Sequence, residues 1–145
     1  MVGGQCADIC AEQYEADRIT RELLLYIHKN KTAALIESAL MIGAILAGAS
    51  EDEISKMEKA AQNIGIAFQI QDDILDLTST LEELGKPNGS DEKNHKVTYV
   101  SLMGMEQAKE DVRRLSEEAL SILRSFSVRN LFLEELVEDL ITRKK

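Results

Sequence analysis

Gln69, Asp72, Asp73 and Asp76 sit in one short stretch, Phe68-Gln-Ile-Gln-Asp-Asp-Ile-Leu-Asp76. On an α-helix, at about 100° per residue, they fall within an arc of roughly 100°. Phe68 and Leu75 flank that arc on one side; Ile66, Ile70, Ile74 and Leu77 flank it on the other. A helix that is apolar nearly all round is normally buried. Carboxylates crowded on such a helix repel one another, and burying even one without a partner is prohibitive. The stripe must therefore face a wet cavity or be neutralised by cations. A solvated acidic face is the plainer alternative, but it leaves the apolar flanks unexplained. The EF-hand pattern of alternating acids around a glycine is absent, which disfavours calcium. Magnesium keeps most of its waters and takes one or two carboxylates together with substrate phosphate oxygens. Asp72, Asp73 and Asp76 are thus candidate ligands of Mg2+ in a phosphate-handling site.

Phosphate also needs cations from the protein. Lys31 lies four residues after Ile27 and three before Ala34, on a stripe that continues to Ser38 and Ile42. If the helix is continuous there, a lysine points where apolar residues point. Snorkelling to the surface is the ordinary explanation. Lys86 and Lys96 bracket a charged stretch, and loop lysines are commonplace. Beside a carboxylate helix, the three form a set that closes over a metal-held phosphate. His28 reads as a surface residue at a helix end. Cys6 and Cys10, one helical turn apart, read as small residues turned toward neighbouring helices. Their spacing is not that of a zinc or redox pair.

The elements that must position these groups are helices. The pattern predicts a first helix over about Gly3 to Tyr14, a second over Thr20 to Lys29 and a third over Lys31 to Gly48, with a break near Asn30. Ser50 and Glu53 form a capping-box pattern that opens a long fourth helix. Its apolar face runs through Ile54, Met57, Ala61, Ile64, Phe68 and Leu75, interrupted by Gln71. From Ser79 to Val97 the pattern breaks, with Gly85, Pro87, Gly89 and Ser90 among many charges; so long an irregular stretch is usually functional or disordered. Met105, Ala108, Val112, Leu115, Ala119, Ile122 and Phe126 then resume a 3-4 spacing. A last helix covers about Leu131 to Thr142, with Leu133, Leu136, Val137 and Leu140 apolar. The fold class is all-α, an antiparallel helix bundle.

Composition agrees. The chain has 145 residues, 44% of them hydrophobic, 30% charged and a single proline, which suits one helical domain. A net charge of -9 argues against nucleic acid or an anionic membrane as a main partner. The apolar run from Ala39 to Ala49 is too short to span a bilayer. With no signal peptide either, the cytoplasm is the default compartment.

Four segments then occur in a telling order: "GGQCADI" near the start, "IHKNKTAALI" from Ile27 to Ile36, "FQIQDDILD" from Phe68 to Asp76, and "GKPNGSDEKNHKVTYVSLMG" from Gly85 to Gly104. In order and spacing the whole chain resembles the polyprenyl synthetases, the trans-isoprenyl diphosphate synthases. A DDxxD tract alone is weakly specific; with the other three segments it is strong. The resemblance implies an isoprenoid-synthase-like helical fold, usually dimeric, and a magnesium-dependent prenyltransferase. It implies condensation of an allylic diphosphate with isopentenyl diphosphate to a longer linear product. The allylic carbon–oxygen bond ionises, the double bond of isopentenyl diphosphate attacks the carbocation, and a proton is lost. The protein's part is charge stabilisation and positioning.

Carried over residue by residue, the resemblance makes Asp72 the main ligand of one magnesium. Asp73 and Asp76 would act through its waters or neighbours. Lys31, Lys86 and Lys96 would hold the allylic diphosphate, and Thr32 and Gln69 would turn oxygen dipoles toward the carbocation. Asp8 matches a polar position without an assigned role. Arg143, Lys144 and Lys145 resemble basic tails that close over the isopentenyl diphosphate site. His95 stands where many members carry another polar residue.

The first aspartate-rich motif of the family, its isopentenyl diphosphate-binding basic residues and its length-determining positions would precede "GGQ". The expectation is therefore a C-terminal portion of a longer synthase, inactive alone, whose exposed apolar faces favour a homodimer or another homo-oligomer. Two other readings stand beside it: a non-catalytic regulatory subunit, and a terpene cyclase. The intact aspartates and lysines argue against the first. DDILD in place of an N-S-E type metal motif argues against the second.

Overall fold

The structure, a computed structural model, describes residues 1–78 and 97–142. Lys86, His95, Lys96 and the tail Arg143–Lys145 lie outside the described residues, as do their expected roles. The helices are α1 (Val2–Ala11), α2 (Arg21–His28), α3 (Ala34–Leu46), α4 (Glu51–Thr78), α5 (Tyr99–Met103), α6 (Met105–Arg124) and α7 (Leu131–Thr142). A short 3-10 turn, Ala16–Arg18, precedes α2, and a π-helical turn, Lys29–Ala33, joins α2 to α3.

Local chemistry sets most boundaries. Thr20 caps α2 by accepting the Leu23 N–H at 3.2 Å. Gly48, at φ 80°, ends the turn after α3, where a side chain would be strained. Ser50 and Glu53 cap α4 reciprocally: the Ser50 N–H donates to Glu53 Oε2 at 2.9 Å, and the Glu53 N–H to Ser50 Oγ at 3.3 Å. Asn130 Oδ1 accepts the Leu133 N–H at the head of α7. The first helix stops at Ala11, short of the expected Tyr14. The expected break near Asn30 is instead the π-helical turn, and α5 lies where the sequence pattern had not yet resumed.

α4 is the central element. Its 28 residues span about 42 Å at 1.5 Å per residue. It packs chiefly against α6 and α3, and the short connections make α3–α4 and α6–α7 antiparallel neighbours. Near its start Ala60 and Ile64 join Ala119, Leu120, Leu123 and Val137. Near its end Ala67, Ile70 and Ile74 join Tyr99, Val100, Ala108, Val112 and Leu115. This second cluster is the floor under the aspartates. α3, although mostly apolar, has no buried residue, and Leu46 is 82% exposed. Cys6 and Cys10 are exposed, contrary to the expectation that they pack. α1 turns Gly4 and Asp8 inward, so the residues on its other faces meet solvent. Among the described residues no helix is long and apolar enough to cross a membrane.

One ion-pair cluster staples α7 to α6. Glu134, buried, accepts from Arg124 Nε at 3.0 Å and from Arg129 Nε at 2.9 Å. Arg129, then Arg124, hold its carboxyl down at about 2, against an ordinary value of 4.5. A depressed carboxyl stabilises the fold above the unfolded value and loses that contribution as pH falls through the folded one. Replacing Glu134 with Gln should therefore lower the melting temperature at pH 7. The gap between the two proteins should narrow from about pH 4.5 downward and close near pH 2, as a melting series over that range will test.

Candidate active site

The helical path does not stop where α2 ends at His28. The chain stays helical through Lys29–Ala33 but widens by one residue per turn, a π-helical insertion of the sort that often marks functional sites. Two glycines hold this turn. A Cβ on Gly4 of α1 would collide with the backbone of Asn30 and Lys31, and a Cβ on Gly65 of α4 would collide with Ala33. The turn is thus gripped between α1 and α4 at backbone distance, and Lys31 leaves it in a fixed direction.

That direction is toward Asp8. The Lys31 ammonium forms a hydrogen-bonded ion pair with the Asp8 carboxylate. The Lys31 side chain is 31% exposed and that of Asp8 only 8%. Lys31 is therefore not snorkelling away from an apolar face. It is a partly desolvated charge on a rigid turn.

Asp8, His28, Lys31, Gln69, Asp73 and Thr98 face one cavity of about 60 Å³. Leu24, Ile27 and Val97 close it on the apolar side. Such a volume holds a few ordered waters. Lys31 is thereby brought to Gln69 and Asp73, more than thirty residues further along the chain; Thr32 is half-buried in the same π-helical turn. His28 is buried, at 7% exposure, with its ring centroid 6.3 Å from that of Tyr99. The expectation of a surface histidine fails because the helix does not stop there.

The aspartates do not behave as one stripe. Asp72 is exposed, Asp73 half-buried and Asp76 buried at 6%. Three acids on a shared arc thus meet three environments. Asp73 Oδ2 accepts the backbone N–H of Tyr99 at 2.7 Å, a charge-assisted bond.

Tyr99 is the residue that the sequence did not single out. It is 1% exposed. Its hydroxyl donates to Asp111 Oδ2 at 2.8 Å and accepts from Arg21 Nε at 3.2 Å. Asp111 also accepts from Arg114 at 3.1 Å and Gln107 at 3.3 Å. Burial pushes the Tyr99 phenol above its ordinary value. Burial also opposes ionisation of Asp111, but the hydrogen bonds from Tyr99, Arg114 and Gln107 outweigh it and hold that carboxyl below its ordinary value. The available signal was the run Thr98-Tyr-Val-Ser101, a capping pattern directly after the irregular stretch.

Among the described residues no group of three or more His, Cys, Asp or Glu is placed to hold a metal. The donors are all oxygens, however, and Asp72 is open to solvent on a helix whose neighbouring cavity carries a lysine. This suits magnesium, which needs only one or two carboxylates when a phosphate supplies the rest, and does not suit a closed structural cage. A second, apolar cleft of about 560 Å³ lies toward the start of α4, among Leu40, Met57, Phe126 and Leu133, with Glu53 its charged lining residue. It lacks the cations that a diphosphate requires.

A family model described as polyprenyl synthetase matches residues 1–138. Heterodimeric geranylgeranyl pyrophosphate synthase large subunit 2 of Arabidopsis thaliana is 45% identical over 127 residues, covering 88% of this chain and 34% of that protein. A dimethylallyltranstransferase of Fischerella ambigua is 40% identical over 143 residues, covering 99% of this chain and 41% of that protein. Among solved structures, a geranyltransferase from Helicobacter pylori complexed with magnesium and isoprenyl diphosphate has a TM-score of 0.76 at 30% identity, covering 97% of this chain and 45% of that one. The chain thus spans roughly a third to two-fifths of the length of these curated relatives.

Proposed function

The chain belongs to the polyprenyl synthetase family, and from that premise we propose that it is the diphosphate-holding C-terminal portion of a magnesium-dependent prenyltransferase. The reaction proposed for the whole enzyme joins an allylic diphosphate to isopentenyl diphosphate and gives a longer linear isoprenyl diphosphate. The observation that carries this reading is that Lys31, from the π-helical turn, and Gln69 and Asp73, from α4, line one cavity.

Each residue has a physical task in it. Lys31, held by the π-helical turn, offers a cation to the diphosphate as negative charge builds on the leaving oxygen. Gln69 and Thr32 present oxygen dipoles to the carbocation. Lys86 and Lys96 add charge to the same diphosphate. Magnesium, when bound, neutralises phosphate oxygens and stabilises the departing diphosphate. Asp72 is its proposed ligand here, with Asp76 acting through a neighbour or a water. By the same reading this portion has little activity alone, and apolar faces such as that of α3 favour association into a homodimer.

Calorimetric titration with inorganic pyrophosphate and MgCl2 tests the site. Lys31→Met should weaken binding about tenfold, the effect of losing one charge-assisted contact in a partly open site. Asp72→Asn should remove most of the magnesium dependence. Unchanged binding in both variants would refute the assignment. A chimera carrying the leading part of the Fischerella ambigua relative, assayed with labelled isopentenyl diphosphate and an allylic diphosphate, tests the reaction. Linear product supports the synthase, cyclic product a terpene cyclase, and none a regulatory module.

A further inference from the structure

We infer that Asp73 is a positioning residue rather than a magnesium ligand, and that Tyr99 is the anchor through which it acts. The inference rests on the magnesium reading of the site and deepens it.

The N–H groups at the start of a helix have no partner within that helix. At α5 side chains supply partners for several of them. Thr98 and Ser101 form a reciprocal capping box, with the Thr98 N–H donating to Ser101 Oγ at 2.9 Å and the Ser101 N–H to Thr98 Oγ1 at 3.1 Å. The Tyr99 N–H goes to Asp73. A carboxylate serves here where water would ordinarily do, and it reaches from a different helix. Asp73 therefore ties the aspartate-bearing part of α4 to the backbone of Tyr99, next to Val97 and Thr98, which line the same cavity as Lys31.

The far end of the tie is fixed independently. The Tyr99 side chain is sunk among Ile70, Ile74 and Val112, and its hydroxyl is held by Asp111 and Arg21. A tyrosine gripped at both ends cannot slide along α4. The consequence for the site is a set distance between the wall at Thr98 and the acids of α4. A carboxylate ligand to magnesium loses most of its hold on the ion when its charge is removed; an anchor to an N–H needs only an acceptor oxygen. The two roles separate under conservative substitution.

The test compares Asp73→Asn, Asp73→Ala and Asp72→Asn in the full chain. It reads hydrogen exchange of the Tyr99 amide by NMR together with pyrophosphate titration at varied MgCl2. Asp73→Asn should keep Tyr99 protection and magnesium-dependent binding within about threefold, since the amide oxygen still accepts. Asp73→Ala should lower both by at least about tenfold. Asp72→Asn should lose the magnesium dependence and leave the Tyr99 amide unaltered. The inference is overturned if Asp73→Asn abolishes the magnesium dependence as Asp72→Asn does, or if Asp73→Ala leaves the Tyr99 amide protected. Should the unsubstituted chain fail to bind pyrophosphate with magnesium, the magnesium reading falls. The exchange comparison still decides the anchor.

Discussion

Gly65→Ala is expected to destabilise the protein by about 2–3 kcal/mol, although glycine to alanine inside a helix normally gains about 1 kcal/mol. The reason is what the new methyl would meet. At Gly65 it runs into the backbone and Cβ of Ala33, in a turn that Gly4 already confines from the other side. A flexible side chain could swing aside; backbone between two helices cannot, so overpacking outweighs propensity. The melting temperature should fall by about 4–12 °C, as calorimetry will show. Gly43→Ala is the control, because a Cβ there meets nothing within 4 Å. That variant should be stabilised by about 0.5–1 kcal/mol, and a like loss at both positions would discredit the packing argument.

Asp111→Ala carries the second large effect. It strips a buried carboxylate from Tyr99, Arg114 and Gln107, leaving the Tyr99 hydroxyl with one buried partner fewer. Removing one side of such a buried network costs about 3 kcal/mol. Asp111→Asn keeps an acceptor and should lose about half as much. The sign of the pH dependence follows from the depressed carboxyl. The stabilisation is complete above the ordinary value of 3.8 and declines as pH falls below it, toward the folded value. Urea unfolding at pH 7 and at pH 3 should therefore show a smaller difference between the natural protein and Asp111→Asn at the lower pH. A difference that grows in acid would mean that Asp111 is not held as an anion.

Both substitutions reach the candidate site through structure that carries no chemistry of its own. Gly65 aims Lys31 through the turn at Ala33, and Asp111 fixes Tyr99, whose backbone meets Asp73. Pyrophosphate binding should accordingly weaken in both variants even under conditions where they remain folded.

The local signals in the chain were sufficient for most of the helices, though not for α5 or the π-helical turn, and they supplied the proposal about the chemistry. The Ser50–Glu53 capping pair, Gly48 and the 3-4 spacing of α6 act over a few residues, so their meaning does not depend on what lies elsewhere. The acid stripe on one helix and a lysine on an apolar stripe suggested oxygen ligands and phosphate for the same reason. Tertiary structure alone decided which acid meets which partner. Asp72, Asp73 and Asp76 share an arc, yet they differ in burial, and Asp73 meets the Tyr99 N–H of α5. Lys31 received Asp8, and His28 became buried, because a π-helical turn kept the chain helical between two glycines. Close approach of backbones depends on shape across the bundle, and no spacing within one segment encodes it.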